Sequence, residues 1–158
     1  MSRSLFYSKW TPRLLSILRI AVALLFIEHG SEKLFGFPPA AQHATESLTL
    51  LSGVGGVLEF FGGLLILFGL FTRPVAFLLS GEMAVAYFMV HASQGFFPLQ
   101  NGGELAALYS WVFLFMAVAG GGVWSLDSLL WRRRSGTAST SATSKTKLPE
   151  PIARPVKS

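Results

Sequence analysis

Four apolar stretches, at about 13–32, 54–71, 75–91 and 104–123, occupy nearly half of the chain and decide the solvent in which it folds. A helix rises 1.5 Å per residue, so about 20 residues cross a hydrocarbon core of ~30 Å. Each stretch is of that order. Of the 158 residues 51% are hydrophobic and only 13% are charged, whereas a soluble domain carries about 25% charged residues. A mean hydropathy of +0.52 agrees. The expected fold is all-α, a polytopic membrane protein built as a four-transmembrane-helix bundle.

The connections punctuate that pattern. Residues 1–12 form a short polar N-terminus closing on Thr11-Pro12, and proline suits a helix first turn, where its missing N–H costs nothing. Gly36-Phe37-Pro38-Pro39 ends the first stretch, and residues 40–51, with His43, Thr45, Glu46 and Ser47 among alanines and leucines, read as a short interfacial helix. Thr72-Arg73-Pro74 makes a tight turn, with Pro74 placed to begin the third helix, and an uncharged loop joins Ala92 to Gly103. From Arg132 to Ser158 the chain turns to Ser, Thr, Lys and Pro, a basic tail with too few apolar residues to offset the entropy of ordering. The membrane domain therefore spans 13–131. Its first stretch runs into Glu28-His29-Gly30-Ser31-Glu32-Lys33 rather than a small-residue cleavage site, which argues against a signal peptide. No internal repeat is visible.

The net charge of +5 and a pI near 10.0 do not point to nucleic acid, because the positive residues sit at chain ends and in one short turn. Arg3, Lys9 and Arg13, then Arg73, then Arg132 to Arg134 fall on one side of a four-span arrangement, and Lys33 alone on the other. The positive-inside rule then puts both termini in the cytoplasm of a multi-pass protein in the plasma (inner) membrane. The same clusters suit anionic lipid of the bilayer. Cysteine is absent, which removes disulfides, thiolate metal sites and dithiol chemistry carried by this chain.

Against this apolar background the ionisable residues stand out. Glu28, His29 and Lys33 close the first span, Glu59 lies a turn or so inside the second, His91 ends the third and Glu104 opens the fourth. In the four-span topology these six converge on the outer leaflet. Glu28 and Glu32, and His29 and Lys33, are four apart and can share a helix face. Glu82, in the middle of the third span, is half a turn out of phase with His91 and about 13 Å from it along the axis. It needs its own partner, for which Tyr87, Tyr109 and Arg19 are candidates, since a lone charge in hydrocarbon is costly. Each residue also has a plainer reading: the histidines as interface groups, Glu104 as an acid favoured in a helix first turn, the glycines of span two as packing, and Arg19 as a side chain that snorkels to the near interface. No His-x-x-x-His or Glu-x-x-His spacing suggests a metal, and no phosphate loop, dinucleotide fingerprint or serine-nucleophile elbow occurs.

Several of these segments resemble the DoxX family. Arg19-Ile20 leading to His29-Gly30 and Lys33-Leu34-Phe35-Gly36 resembles its first helix, and Glu59 with Gly62-Gly63 its second. Gly81-Glu82-Met83-Ala84, Ala86-Tyr87-Phe88 and His91 resemble its third; Asn101-Gly102-Gly103-Glu104-Leu105, the Gly120–Gly122 cluster and Ser125-Leu126-Asp127 resemble its fourth. The resemblance covers about residues 13–130 and implies a small four-helix membrane protein. It also implies a link to membrane oxidoreductase complexes, since the family name belongs to a subunit associated with a thiosulfate:quinone oxidoreductase. Thiol-dependent four-helix membrane proteins depart from this chain, which has no cysteine.

Two functions follow as expectations. One is a redox-associated membrane subunit, part of an oxidoreductase complex rather than a complete enzyme, with a quinone as candidate ligand of the polar cluster and electrons supplied by a partner. The other is a non-enzymatic scaffold or assembly factor in which that cluster is interhelical glue. Proton or small-solute transport is a third class, weakened by the lack of broken helices or inverted repeats. No cofactor is demonstrable from the residues, and a homo-oligomer is compatible with all three.

Overall fold

The computed structural model describes residues 3–39 and 50–131, and every regular element among them is helical. The chain forms two compact units, Met1–Ser128 and Leu129–Ser158, and of the second unit residues 129–131 are described, as helix. The interfacial helix expected at 40–51 falls outside the described residues up to position 49, and the basic tail falls outside them from position 132.

α1 runs Arg3–Phe35, far longer than the expected first span. It therefore does not begin at Pro12, which lies in its interior. The proline removes one backbone N–H but leaves its own carbonyl in use: Ser16 Oγ donates to Pro12 O at 2.9 Å, and Val123 N donates to the same oxygen at 3.4 Å. One turn earlier, Arg13 Nη1 donates to Lys9 O at 2.8 Å. The carbonyl of Ser8 is the one that loses its helical donor to Pro12, and the helix continues unbroken past it.

α2 (Leu50–Val57) passes through a widened π-turn, Leu58–Gly62, into α3 (Gly63–Phe68). α3 stops at Gly69, whose φ of +66° is a left-handed conformation that glycine adopts without steric cost. α4 (Thr72–Ala86) follows and ends in a second π-turn, Tyr87–His91, and a short 3-10 turn, Ala92–Gln94. α5 (Pro98–Asn101) is a single turn, and α6 (Glu104–Ala119) completes the set. Pro74 thus sits in the first turn of α4, not at its first residue.

Burial on α1 recurs at Ser16, Arg19, Val22, Ala23, Phe26 and Gly30, the three-and-four spacing of one helical face. That face packs on α2, the first π-turn and α3, while α4 pairs extensively with α6. α4 contributes Ala76, Leu79 and Met83, α6 contributes Tyr109, Phe113 and Met116, and α3 contributes Ile66. Phe26 joins the two halves, edge-on to Phe113 at 4.8 Å between ring centroids and 5.3 Å from Tyr109. Ser80 and Ser110 exchange hydrogen bonds across α4 and α6, each hydroxyl donating to the other's carbonyl, at 2.8 and 3.1 Å.

The outward faces are apolar as well. Leu14, Leu18, Leu24, Leu25, Phe61, Phe77, Leu78, Val85, Trp111, Phe115 and Val118 are all exposed. Water-soluble monomers seldom show apolar surface on that scale. Leu5–Phe35 and Thr72–Gln94 are long and apolar enough to cross a bilayer, and Ser52–Phe68 and Glu104–Ala119 are shorter apolar helices. The molecule has polar groups inside and hydrocarbon outside, the arrangement that lipid favours.

Candidate functional site

The first π-turn positions the site. Glu59 lies within it, only 2% exposed, and π-turns displace side chains from their regular helical direction and recur at functional positions. Close approach of α1 makes the contact. A Cβ on Gly30 would fall 2.4 Å from Phe60 N and 2.9 Å from Glu59 C, so the two backbones meet where only glycine fits. Further along, Gly56 lies against Lys33 Cβ and Leu34, and Gly63 against Ile27. This small-residue seam brings the last turn of α1 onto Glu59, and Lys33 Nζ donates to Glu59 Oε1 at 2.7 Å.

Glu82 enters from α4. A Cβ on Gly55 would lie 3.6 Å from Glu82 Oε1 and 3.9 Å from Lys33 Nζ, so the acid and the ammonium face the same glycine. Glu82 is also within electrostatic range of Glu59. Glu59 Oε2 and both carboxyl oxygens of Glu82 are buried without a hydrogen-bond partner. The buried carboxyl oxygens of Glu59 and Glu82 and the partly exposed side chain of Lys33 form one polar centre. It can both accept and donate hydrogen bonds, since Lys33 Nζ carries three N–H groups and shares one of them with Glu59 Oε1.

The expected six-residue convergence is therefore divided. Lys33 and Glu59 meet as an ion pair, and Glu82, read from the sequence as standing apart with a tyrosine or Arg19, lies in electrostatic range of both. Glu28 is exposed, on the flank of α1 away from the seam, although it lies in electrostatic range of Tyr109. His29 stands edge-on to Tyr109 with ring centroids 6.0 Å apart. His91 is committed elsewhere: its Nδ1 bonds Asn101 O at 3.0 Å, and Asn101 in turn donates to Gly95 O and accepts from Gly103 N, both at 2.8 Å. It holds the loop before α6. Glu104 is exposed in the first turn of α6, the plainer reading given above. Among the described residues no group of three or more metal-ligating side chains comes together.

A second polar centre was not anticipated. Arg19 is 1% exposed and does not snorkel to an interface. Its Nε donates to Gly121 O at 2.9 Å and its Nη2 to Trp124 O at 2.8 Å, while Nη1 donates to Ile66 O and Leu67 O. One guanidinium thereby closes the carbonyl end of α3 and the loop after α6, orphan acceptors that a helix terminus would otherwise leave unpaired. Asp127, in electrostatic range of Arg19, accepts from Phe71 N and Thr72 N at 2.9 and 2.8 Å and so caps α4. Ser16 Oγ accepts from Trp124 N at 3.1 Å. The sequence signal was an arginine inside an apolar run together with a glycine triplet and Ser125-Leu126-Asp127 far along the chain.

This geometry can be set beside known proteins. The DoxX family profile matches residues 14–92, and an uncharacterized protein of Haemophilus influenzae is 46% identical over 131 residues, 79% of this chain and 96% of that one. The chain belongs to the DoxX family. The inner membrane protein YqjF of Escherichia coli is 34% identical over 123 residues, 72% of this chain and 89% of its own. No solved structure matches. As a DoxX-family chain it is a membrane protein, and the matched segment contains Arg19, Lys33, Glu59, Glu82 and His91 but neither Glu104 nor Asp127. Both polar centres of this DoxX-family protein are thus anchored within the family's matched region.

Proposed function

We propose that this protein spans the plasma membrane four times, with both termini cytoplasmic, and binds a small amphipathic ligand at Lys33, Glu59 and Glu82 within a redox-associated membrane assembly. The span count is supported by four apolar helical segments, the shorter two of which run 16–17 residues, about 24–26 Å, before their polar flanks are added. Arg73 beside the α3–α4 turn and Arg13 on α1 support the cytoplasmic assignment of the Arg19 end. The name of the Escherichia coli relative, an inner membrane protein, supports the compartment.

The observation that carries the ligand reading is the trio of unpartnered carboxyl oxygens beside an engaged ammonium. Ligand sites in helix bundles are built from such inward-facing groups within apolar walls. A quinone head fits this setting: the ring belongs among apolar side chains, and its oxygens change between acceptor and donor with redox state. On this reading a partner supplies the electrons, as the chain has no cysteine pair to cycle between thiol and disulfide. Solvent extraction of the protein purified in mild detergent, followed by mass analysis, is expected to return a quinone at a near-equimolar level. Protein that is folded and quinone-free after such purification, and that takes up none when it is supplied, sinks the reading.

A scaffold or assembly factor is the second reading, favoured by one specific observation. Arg19 and the Ser80–Ser110 pair show that this bundle uses buried polar groups to join helices. On this reading Lys33, Glu59 and Glu82 do the same, and their removal lowers abundance without altering any bound small molecule.

A further inference from the structure

The connection between α4 and α6 turns its apolar groups outward and its polar atoms inward. Phe96, Phe97 and Leu99 are exposed, Phe96 at 85% and Leu99 at 76%, and no residue from Ala92 to Gly103 is charged. Two phenylalanines and a leucine bared side by side make a poor surface for water. The hydrogen bonds of the loop point the other way. Asn101 is buried; its side chain donates to Gly95 O and accepts from Gly103 N, and its carbonyl bonds His91 Nδ1. Phe97 O accepts from Gln100 N and Asn101 N, Pro98 O accepts from Gly103 N, and the Tyr87 hydroxyl donates to Phe96 O at 3.5 Å. A Cβ on Gly103 would fall 2.8 Å from His91 Cβ and from Tyr87 Cδ2, so the loop is drawn tightly onto the end of α4. Irregular backbone is tolerated at membrane depth only where its polar groups are occupied. At this tip the carbonyls from Gly95 to Pro98 are occupied from within the protein.

Depth agrees. His91 stands 19 residues after Thr72, about 28 Å along the axis, and Glu104 stands 15 residues before Ala119, about 22 Å. With the Arg73 turn at one face of a hydrocarbon core of ~30 Å, the loop falls at the opposite boundary, where phenylalanine and leucine side chains enter between headgroups and acyl chains. The apolar surface is also continuous. Phe88 and Met89 are exposed on the π-turn that leads toward the loop, and Leu105 and Leu108 on the helix that leaves it.

We propose that the Ala92–Gly103 loop is a preformed wedge seated in the outer leaflet of the protein's own membrane, with Phe96, Phe97 and Leu99 inserted at the headgroup–acyl boundary and Asn101 as the clasp that holds their arrangement. The inference rests on the four-span topology above and is independent of the ligand reading. The wedge anchors the outer ends of α4 and α6 at one depth, a task for which α6, about 24 Å long, has no length to spare.

The chain has no cysteine, so a single introduced thiol reports its position without background. The test labels Phe97→Cys and Leu99→Cys in the full-length protein with an environment-sensitive fluorophore and reconstitutes each in phospholipid vesicles. Lys9→Cys, exposed near the start of α1, is the reference in water. Emission at both loop positions is expected to shift to the blue of the reference, with strong quenching by lipid carrying a nitroxide near its headgroup and loss of quenching by iodide supplied on both sides. Iodide quenching at both loop positions equal to that at the reference overturns the wedge. Probes that neither iodide nor nitroxide lipid reaches are covered by protein, a second copy or a partner, and overturn it as well. Asn101→Ala removes the bonds to Gly95 and Gly103 and is expected to lower nitroxide quenching and raise iodide quenching at both probes; unchanged quenching overturns the role of the clasp. A C-terminal reporter active only outside the cytoplasm overturns the outer-leaflet assignment, an outcome distinct from failure of the wedge itself.

Discussion

Glu59 and Glu82 stand at matching heights on neighbouring helices, one nine residues before the end of α3 at Phe68 and the other ten residues after the start of α4 at Thr72. Both are about 14–15 Å along the axis from the turn that joins their helices. That symmetry about a short connection explains why their carboxyl groups fall within electrostatic range. It also separates the molecule into two polar levels, Arg19 and Asp127 near the turn and Lys33, Glu59 and Glu82 well above it.

The lower level is structural, and its loss should be expensive. Arg19→Met leaves the carbonyls of Ile66, Leu67, Gly121 and Trp124 without their shared donor. Removing one side of a buried charged network costs about 3–5 kcal/mol. Arg19→Lys keeps the charge but cannot fork to four oxygens, and should lose a large part of the same amount. Thermal unfolding in detergent checks both. An Arg19→Met protein that melts with the wild type would show that the guanidinium network contributes nothing net.

The seam between α1 and the first π-turn depends on Gly30. Gly30→Ala drives a methyl group into the backbone of Phe60 and Glu59, where nothing flexible can yield. Overpacking of this kind costs about 1–3 kcal/mol, and the separation of α1 should also loosen the Lys33–Glu59 pair. Gly53→Ala is the matched control: it lies in α2 with open space around it, and the substitution should be neutral or stabilising by about 0.5–1 kcal/mol. Equal effects at both positions, by unfolding measurements, would refute the close approach.

Orientation is open to direct assay. A reporter fused after Ser158 and active only in the cytoplasm is the expected result, because Arg13 and Arg73 belong with the tail on one side. Signal from a reporter active only outside the cytoplasm would invert the topology and with it the side on which Lys33 lies.

The helical class was legible because apolar length is a direct physical requirement of a bilayer. The small face of the second helix was legible for a similar reason: Gly62 and Gly63 do pack against Leu79 and Ile27. The company of Glu82 was not, since its distance was reckoned from His91 on its own helix. Counting outward from the Gly69–Phe71 turn would have placed it beside Glu59. Arg19 was misjudged because snorkelling is a property of one helix, whereas its four acceptors lie 47 to 105 residues away. Pro12 misled in the same way, for it lies inside a helix that already begins at Arg3. His91 and Glu104 were grouped with the cluster by depth alone, and depth says nothing of the direction in which a side chain leaves its helix.

The central claim is that Lys33, Glu59 and Glu82 form a ligand site rather than a tie between helices. Native mass spectrometry of the wild type beside Glu59→Gln, each released gently from membrane-like carrier and checked by its melting curve, addresses it most directly. A bound organic molecule on the wild type that is absent from an equally folded Glu59→Gln protein is the predicted result. A wild type that carries no small molecule, beside a Glu59→Gln protein that has lost its fold, would contradict it.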